Sequence, residues 1–256
     1  MIILLTLIGL CAGSFANVCI WRLPREESLF LPSSHCPYCH SPIRLIDNIP
    51  LLSYFLLKSR CRDCRKMIPL RYPLVELSMG LLFGLAAWRY QYTPAMAMLA
   101  CWISFYMLTI SLIDVQNKII PDELSLSLLI SGWAFSSANP FLRWQNTHTV
   151  IESFSAAAAG AIFMFLMAWV GEKLFKKEAL GGGDIKLVAA AGAILGWNGL
   201  LGSILLGSII GSIFGVLLII LHRKNRNEFI PFGPFLCLGV YLTCLRPIFW
   251  IRILFP

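Results

Sequence analysis

Apolar runs of membrane-crossing length, or close to it, set the pattern of this chain. They lie roughly at 2 to 21, 73 to 89, 95 to 113, 123 to 138, 150 to 170, 185 to 196, 200 to 221 and 230 to 250. A helix needs about 20 apolar residues to cross a bilayer core. The pattern therefore predicts an all-α polytopic membrane protein with about eight transmembrane helices. The run from Met1 to Ile20 has no basic leader and no small-residue cleavage site, so it is expected to be a first span and not a removable signal. The shortest run, 185 to 196, reads either as a full crossing or as a half-helix or re-entrant segment. After it, Gly202, Gly207, Gly211 and Gly215, with Ser203, Ser208 and Ser212, recur at the small-xxx-small spacing that lets helices pack closely in lipid.

Composition agrees with this assignment. Hydrophobic residues make up 58% of the chain against 13% charged, with a mean hydropathy of +0.75. The net charge of +8 raises nucleic acid as a partner, but the positions of the charges argue for membrane orientation instead. If all eight runs cross, the segments 22–72, 114–122, 171–184 and 222–229 share one side. Of the 21 Lys and Arg, only Arg89, Arg143, Arg246 and Arg252 then fall on the other side. The positive-inside rule makes the first side cytoplasmic and puts the N-terminus outside. It also favours a full crossing by 185–196, because otherwise the basic run Arg223 to Arg226 would lie outside. Domain organisation follows: a first span at 1–21, a cytoplasmic loop domain at 22–72, and a membrane-embedded domain at 73–256.

The loop carries Cys36-Pro-Tyr-Cys39 and Cys61-Arg-Asp-Cys64, two C-x-x-C pairs separated by a spacer that lets them face each other. Four thiolates so arranged suit a structural zinc ion, and a segment of about 50 residues is too short to fold on its own core alone. Iron held as in rubredoxin would use the same ligands. Disulfides are disfavoured on a reducing cytoplasmic side. His35 and His40 are expected to be solvated neighbours. Cys11, Cys19, Cys101, Cys237 and Cys244 lie in apolar runs and are read as packing residues.

Two acids stand out. Asp114 closes one apolar run and Asp184 precedes another in Leu180-Gly-Gly-Gly-Asp184-Ile-Lys, so the predicted topology brings both to the cytoplasmic membrane edge. A carboxylate at an apolar boundary is a candidate site, and two held together tend to share one proton, giving a base for water and an acid for a carbonyl. The three glycines permit unusual backbone and close approach of an extended substrate. Simpler roles exist for each acid: Asp184 as a helix cap and Asp114 as a partner of Lys118. Asp122 and Glu123 follow Pro121 at a helix start, where acids suit the helix dipole, and this places Asp122 behind the other two as a catalyst. Lys186 either balances negative charge at the pair or anchors the span.

These strings, in this order, resemble the type IV prepilin peptidases, membrane aspartic peptidases with a G-x-G-D motif. The likeness runs nearly end to end. It includes Gly13-Ser-Phe-Ala-Asn-Val-Cys-Ile-Trp-Arg-Leu-Pro24, both C-x-x-C pairs, Asp47-Asn-Ile-Pro50, Arg71-Tyr-Pro-Leu-Val-Glu76, Asp114 through Asp122, Gly181-Gly-Gly-Asp-Ile-Lys-Leu187 and Pro231-Phe-Gly-Pro-Phe235. The resemblance implies a bacterial inner-membrane enzyme that cleaves the basic leaders of prepilins and pseudopilins on the cytoplasmic side. Asp114 and Asp184 would be its catalytic pair, and Cys36, Cys39, Cys61 and Cys64 its zinc ligands. Members often N-methylate the new N-terminus with S-adenosylmethionine. That half rests on resemblance alone, since no glycine-rich nucleotide fingerprint is present. Ser59-Arg60 stands where the family is expected to have glycine and a basic residue, in a loop implicated in methylation.

Three other readings compete: a peptidase without methyltransferase activity, a non-enzymatic metal-binding assembly protein, and a transporter relaying ions through acids in its spans. The basic loop would repel a basic leader, so it is expected to shape the site or to meet anionic lipid headgroups.

Overall fold

The computed structural model describes residues 1–145, 148–176, 180–221 and 231–245. Among these the chain is helical. The order is α1 (Ile2–Arg22), α2 (Leu52–Leu56), α3 (Arg71–Arg89), α4 (Pro94–Asn117), α5 (Asp122–Ala134), α6 (Pro140–Gln145), α7 (Thr149–Phe175), α8 (Gly182–Ile220) and α9 (Gly233–Leu245). Among the described residues the only strand-like pairings are two isolated bridges in the loop. Ile2–Arg25, Pro94–Asn117, Thr149–Leu174 and Gly182–Leu218 are long and apolar enough to cross a membrane. The described residues therefore form an all-helical membrane protein with four such helices. α5 has 13 residues, so the expected eight crossings would include a helix shorter than a full span, whereas α3, with 19, is long enough and α9 is described only as far as Leu245. The basic run at 223–226 and the tail of the last apolar run, 246–250, lie outside the described residues.

The chain forms two compact units, Met1–Thr109 and Ile110–Pro256, which divide within α4. In the first, α1 and α3 run antiparallel and meet through small residues spaced four apart on each helix. A Cβ at Gly9 would stand 2.8 Å from Phe83 Cβ, at Gly13 2.6 Å from Glu76 Cα, at Gly80 2.6 Å from Leu10 Cδ2, and at Gly84 2.7 Å from Thr6 Oγ1. Without hydrophobic drive between helices in lipid, such backbone approach supplies the packing.

In the second unit, Gly196 (φ +69°, ψ −168°) breaks α8 into two arms, 182–195 and 197–220. Residue contacts with α7 give their directions. Gly192 packs on Ala156, and Gly160 meets both Val188 and Leu200. The first arm is thus antiparallel to α7 and the second parallel to it, so the chain reverses at Gly196. This agrees with the expected short link there. Polar side chains satisfy the break. Ser153 Oγ donates to the Ala193 carbonyl at 2.7 Å, Asn139 Nδ2 to the Ile194 carbonyl at 2.8 Å, and the buried Glu152 accepts the Trp197 N–H. Gly202, Gly207 and Gly211 carry the second arm onto Thr243, Leu236 and Phe235 of α9, whereas Gly215 faces open space.

Candidate active site and thiol cluster

Three separate strings converge at the end of the second unit opposite Gly196. Asp114 stands on the last turn of α4. Lys118 closes that helix in the left-handed conformation (φ +57°), its N–H donating to the Asp114 carbonyl at 2.8 Å. The chain then passes Ile120 and Pro121 to start α5. Asp184 lies in the first turn of α8, and Gly233 opens α9. Ile120 is the wedge between them: a Cβ at Gly183 would stand 2.7 Å from Ile120 Cβ, and one at Gly233 3.2 Å from Ile120 Cδ1.

Both acids are buried, Asp114 at 5% and Asp184 at 7% exposure. They lie close enough for the charge of one to act on the other, and the buried Cys237 thiol of α9 feels both. Asp114 accepts the backbone N–H of Gly233, and its Oδ2 is the atom that a Cβ at that glycine would meet first. Asp184 accepts the N–H of Gly181, a reciprocal cap at the helix start. The capping role foreseen for Asp184 is therefore present, but it occupies one oxygen only. Its Oδ1 is buried and has no hydrogen-bond partner. A buried carboxyl with one oxygen anchored and the other open, beside a second acid, can hold and move a proton.

The glycine string works differently from the expectation. Among the described glycines only Gly196 has positive φ, so Gly181 to Gly183 adopt backbone open to any residue. Gly183 is small because Ile120 presses on it, whereas a Cβ at Gly182 would meet nothing within 4 Å. Lys186 reaches Asp122 at 2.6 Å in an exposed ion pair, and so ties the start of α5 to α8. Sequence reasoning missed Ile120, Gly233 and Cys237 as site residues. Ile120 and Gly233 lay inside strings singled out for resemblance, which was the available signal; Cys237 gave none beyond its apolar setting.

Register along α7 gives the level of Asp184 relative to that helix. Pairings of Gly192 with Ala156 and Val188 with Gly160 set Asp184 near residue 164 of α7. α7 continues to Phe175, about 16 Å farther. Phe165, Leu166, Trp169 and Leu174 on this extension are exposed.

In the first unit, the sulfur atoms of Cys36, Cys39, Cys61 and Cys64 all lie within 4.8 Å of one another. Each C-x-x-C forms the same tight knuckle. Cys36 N–H donates to Ser41 O and Cys61 N–H to Lys66 O, and His40 (φ +56°) and Arg65 (φ +60°) occupy the equivalent left-handed position. Cys36 and Cys64, from opposite knuckles, have sulfurs 3.8 Å apart. A tetrahedral ion with bonds of about 2.3 Å separates its sulfurs by about 3.8 Å, so the four thiols fit such a metal. Hydrogen bonds from Ser41 lower the Cys39 thiol to about 6, whereas burial and the neighbouring thiols raise that of Cys64 to about 11. Neither His35 nor His40 joins the cluster. Between the knuckles Arg62 clasps Asp47 through two hydrogen bonds, of 2.5 and 2.8 Å, and holds that carboxyl below its ordinary range. Of the remaining cysteines, Cys19, Cys101, Cys237 and Cys244 are buried, whereas Cys11 is exposed, contrary to a packing role.

Structure thus defines a class: helical membrane proteins with a buried carboxyl pair in one unit and a four-thiol cluster in the other. Residues 7–90 match the bacterial peptidase A24 N-terminal domain, and residues 101–216 match the type IV leader peptidase family. A protein of Pseudomonas aeruginosa called prepilin leader peptidase/N-methyltransferase is 38% identical over 267 residues, covering 93% of this chain and 88% of its own. One of the same name from Aeromonas salmonicida is 35% identical, covering 94% and 89%. The type 4 prepilin-like proteins leader peptide-processing enzyme of Escherichia coli O78:H11 is 36% identical, covering 95% and 94%. No solved structure matches. The chain belongs to the type IV leader peptidase family and is a peptidase.

Proposed function

We propose that this protein removes the leader peptides of type IV prepilins and related pseudopilins, with Asp114 and Asp184 as the working pair, and then N-methylates the new N-terminus. The observation that carries the peptidase reading is the open, buried Oδ1 of Asp184 beside an Asp114 anchored by Gly233. One carboxyl of the pair, ionised, takes a proton from water as the water oxygen attacks the scissile carbonyl carbon. The other, protonated, gives its proton to the carbonyl oxygen. Breakdown re-forms the carbonyl, breaks the C–N bond and returns a proton to the departing amine. The low dielectric around the acids strengthens each of these interactions.

The orientation that fits the charge pattern places this end of the second unit toward the cytoplasm of a bacterial inner membrane, where a prepilin's basic leader meets its apolar helix. Zinc held by Cys36, Cys39, Cys61 and Cys64 would staple the 22–72 loop and takes no part in cleavage. S-adenosylmethionine would supply an electrophilic methyl group for the second reaction. The test is processing of a co-expressed prepilin. Asp114→Asn and Asp184→Asn should each lower cleavage by on the order of 10²–10⁴-fold; wild-type rates in either would sink the carboxyl-pair mechanism.

A further inference from the structure

Helices α1 and α3 give a scale of depth inside the first unit. Asn17 Nδ2 donates to the Tyr72 carbonyl at 3.1 Å and Ser14 donates to the Glu76 carboxylate, so the start of α3 runs beside residues 14–17 of α1. The same carboxylate accepts the Leu51 N–H at 2.8 Å. Leu51 therefore lies close to the level of Ser14. That is seven residues, or about 10 Å, along α1 from Trp21, whose ring stands at the loop end of the helix with Arg25 over it. The middle of the 22–72 loop thus folds back along the helix pair instead of standing clear of it. There a 3₁₀ turn, Leu45–Asn48, packs on α2. The polar members of this stretch, Asp47, Asn48 and Ser53, line a cavity of about 630 Å³ shared with Asn17 and Glu76. Leu45, Ile46, Ile49, Leu52, Phe55 and Leu56 do not line it and face outward, Leu45 at 93% and Phe55 at 72% exposure. Water favours the opposite arrangement, with large apolar side chains inside. The backbone that carries them is fastened, since Glu76 pins Leu51 and Arg62 clasps Asp47. Arg44, Lys58 and Arg60 flank the stretch and are exposed.

We propose that residues 45–56 are a membrane-interface anchor, with the six apolar side chains entering the lipid beside α1 and α3 and Arg44, Lys58 and Arg60 receiving anionic phospholipid headgroups. Three observations favour lipid over a protein partner. The patch lies alongside a helix long and apolar enough to cross a membrane, at a level well inside its apolar run. Its polar side faces inward and its apolar side outward, the sorting that an apolar surrounding produces. Its borders are cationic, which complements the phosphates at a bilayer surface. The anchor sits between the two C-x-x-C knuckles in the chain, so it holds the thiol cluster against the bilayer.

The test uses the full-length, zinc-loaded wild-type protein in nanodiscs of phosphatidylcholine and phosphatidylglycerol. Trace phosphatidylglycerol carrying a diazirine high on one acyl chain is photolysed, and labelled peptides are mapped by mass spectrometry. The exposed Ile3, Leu4 and Leu7 of α1 serve as the lipid-facing reference. Label on residues 45–56 should reach at least about one-third of that on the reference. A lower yield would mean that water, a second copy or another part of the chain covers the segment, and would overturn the proposal. The headgroup half is read by comparing phosphatidylglycerol and phosphatidylcholine probes in the same discs. The wild type should favour the anionic probe at 45–56 by about threefold or more, and the combined Arg44→Gln, Lys58→Gln and Arg60→Gln variant should lose that preference. No preference in the wild type, or one undiminished in the variant, would overturn the role of the three cations. Zinc content and melting temperature report whether the variant folds, and the wild-type preference decides the matter if it does not.

Discussion

The backbone N–H of Gly233 donates to the carboxylate of Asp114, which brings the Pro231 to Phe235 string against the buried pair of acids proposed as the site. Adding a methyl group at residue 233 would place it 2.5 Å from Asp114 Oδ2. Gly233→Ala should therefore displace the carboxylate and lower kcat by on the order of 10–10²-fold, with the helix content unchanged by circular dichroism. Steady-state cleavage of a prepilin substrate checks it; an unaltered kcat would show that the contact does not matter.

The glycines before Asp184 should respond unequally. Gly183→Ala meets Ile120 and should lower stability by about 1–3 kcal/mol, with loss of activity. Gly182→Ala meets nothing and should be close to neutral for stability. Combining Gly183→Ala with Ile120→Ala should recover part of the loss, a coupling of about 0.5–3 kcal/mol in a double-mutant cycle. Strict additivity would mean that Ile120 is not the neighbour that keeps residue 183 small.

Ser59 sits at φ +59°, a left-handed position where glycine is unstrained, and its N–H and carbonyl are held by Tyr54 and Ile68. The departure from the family pattern thus strains a turn, and Ser59 does not line the cavity of the first unit. Ser59→Gly should raise thermal stability by about 0.5–1 kcal/mol without altering methylation. Thermal melts and mass spectrometry of the pilin N-terminus test both halves. A gain in methylation with no gain in stability would assign the residue a direct part in transfer.

Elemental analysis of the purified protein should find about one zinc per chain, lost when Cys36 and Cys61 become serine. Chelation should loosen the 22–72 loop to proteolysis, because its own core is too small to hold it. Iron in place of zinc, or a loop equally resistant without metal, would contradict this.

Much of this protein is determined by short-range physics that a sequence displays. Apolar runs gave the helices because lipid leaves a backbone no partner but itself, and α1, α4 and α7 follow their runs to within a few residues. The C-x-x-C spacing announced the thiol cluster, since two ligands on one knuckle are a local arrangement. Asp114 and Asp184 were legible as candidates because carboxyls at apolar boundaries are costly without a purpose, and both are buried. What tertiary structure alone decided is who stands beside them. Ile120 against Gly183, Gly233 on Asp114, and Asn17 facing a cavity with Glu76 all depend on residues distant in the chain. No periodicity encodes such contacts. They arise when helices pack closely enough for one side chain, or the lack of one, to matter.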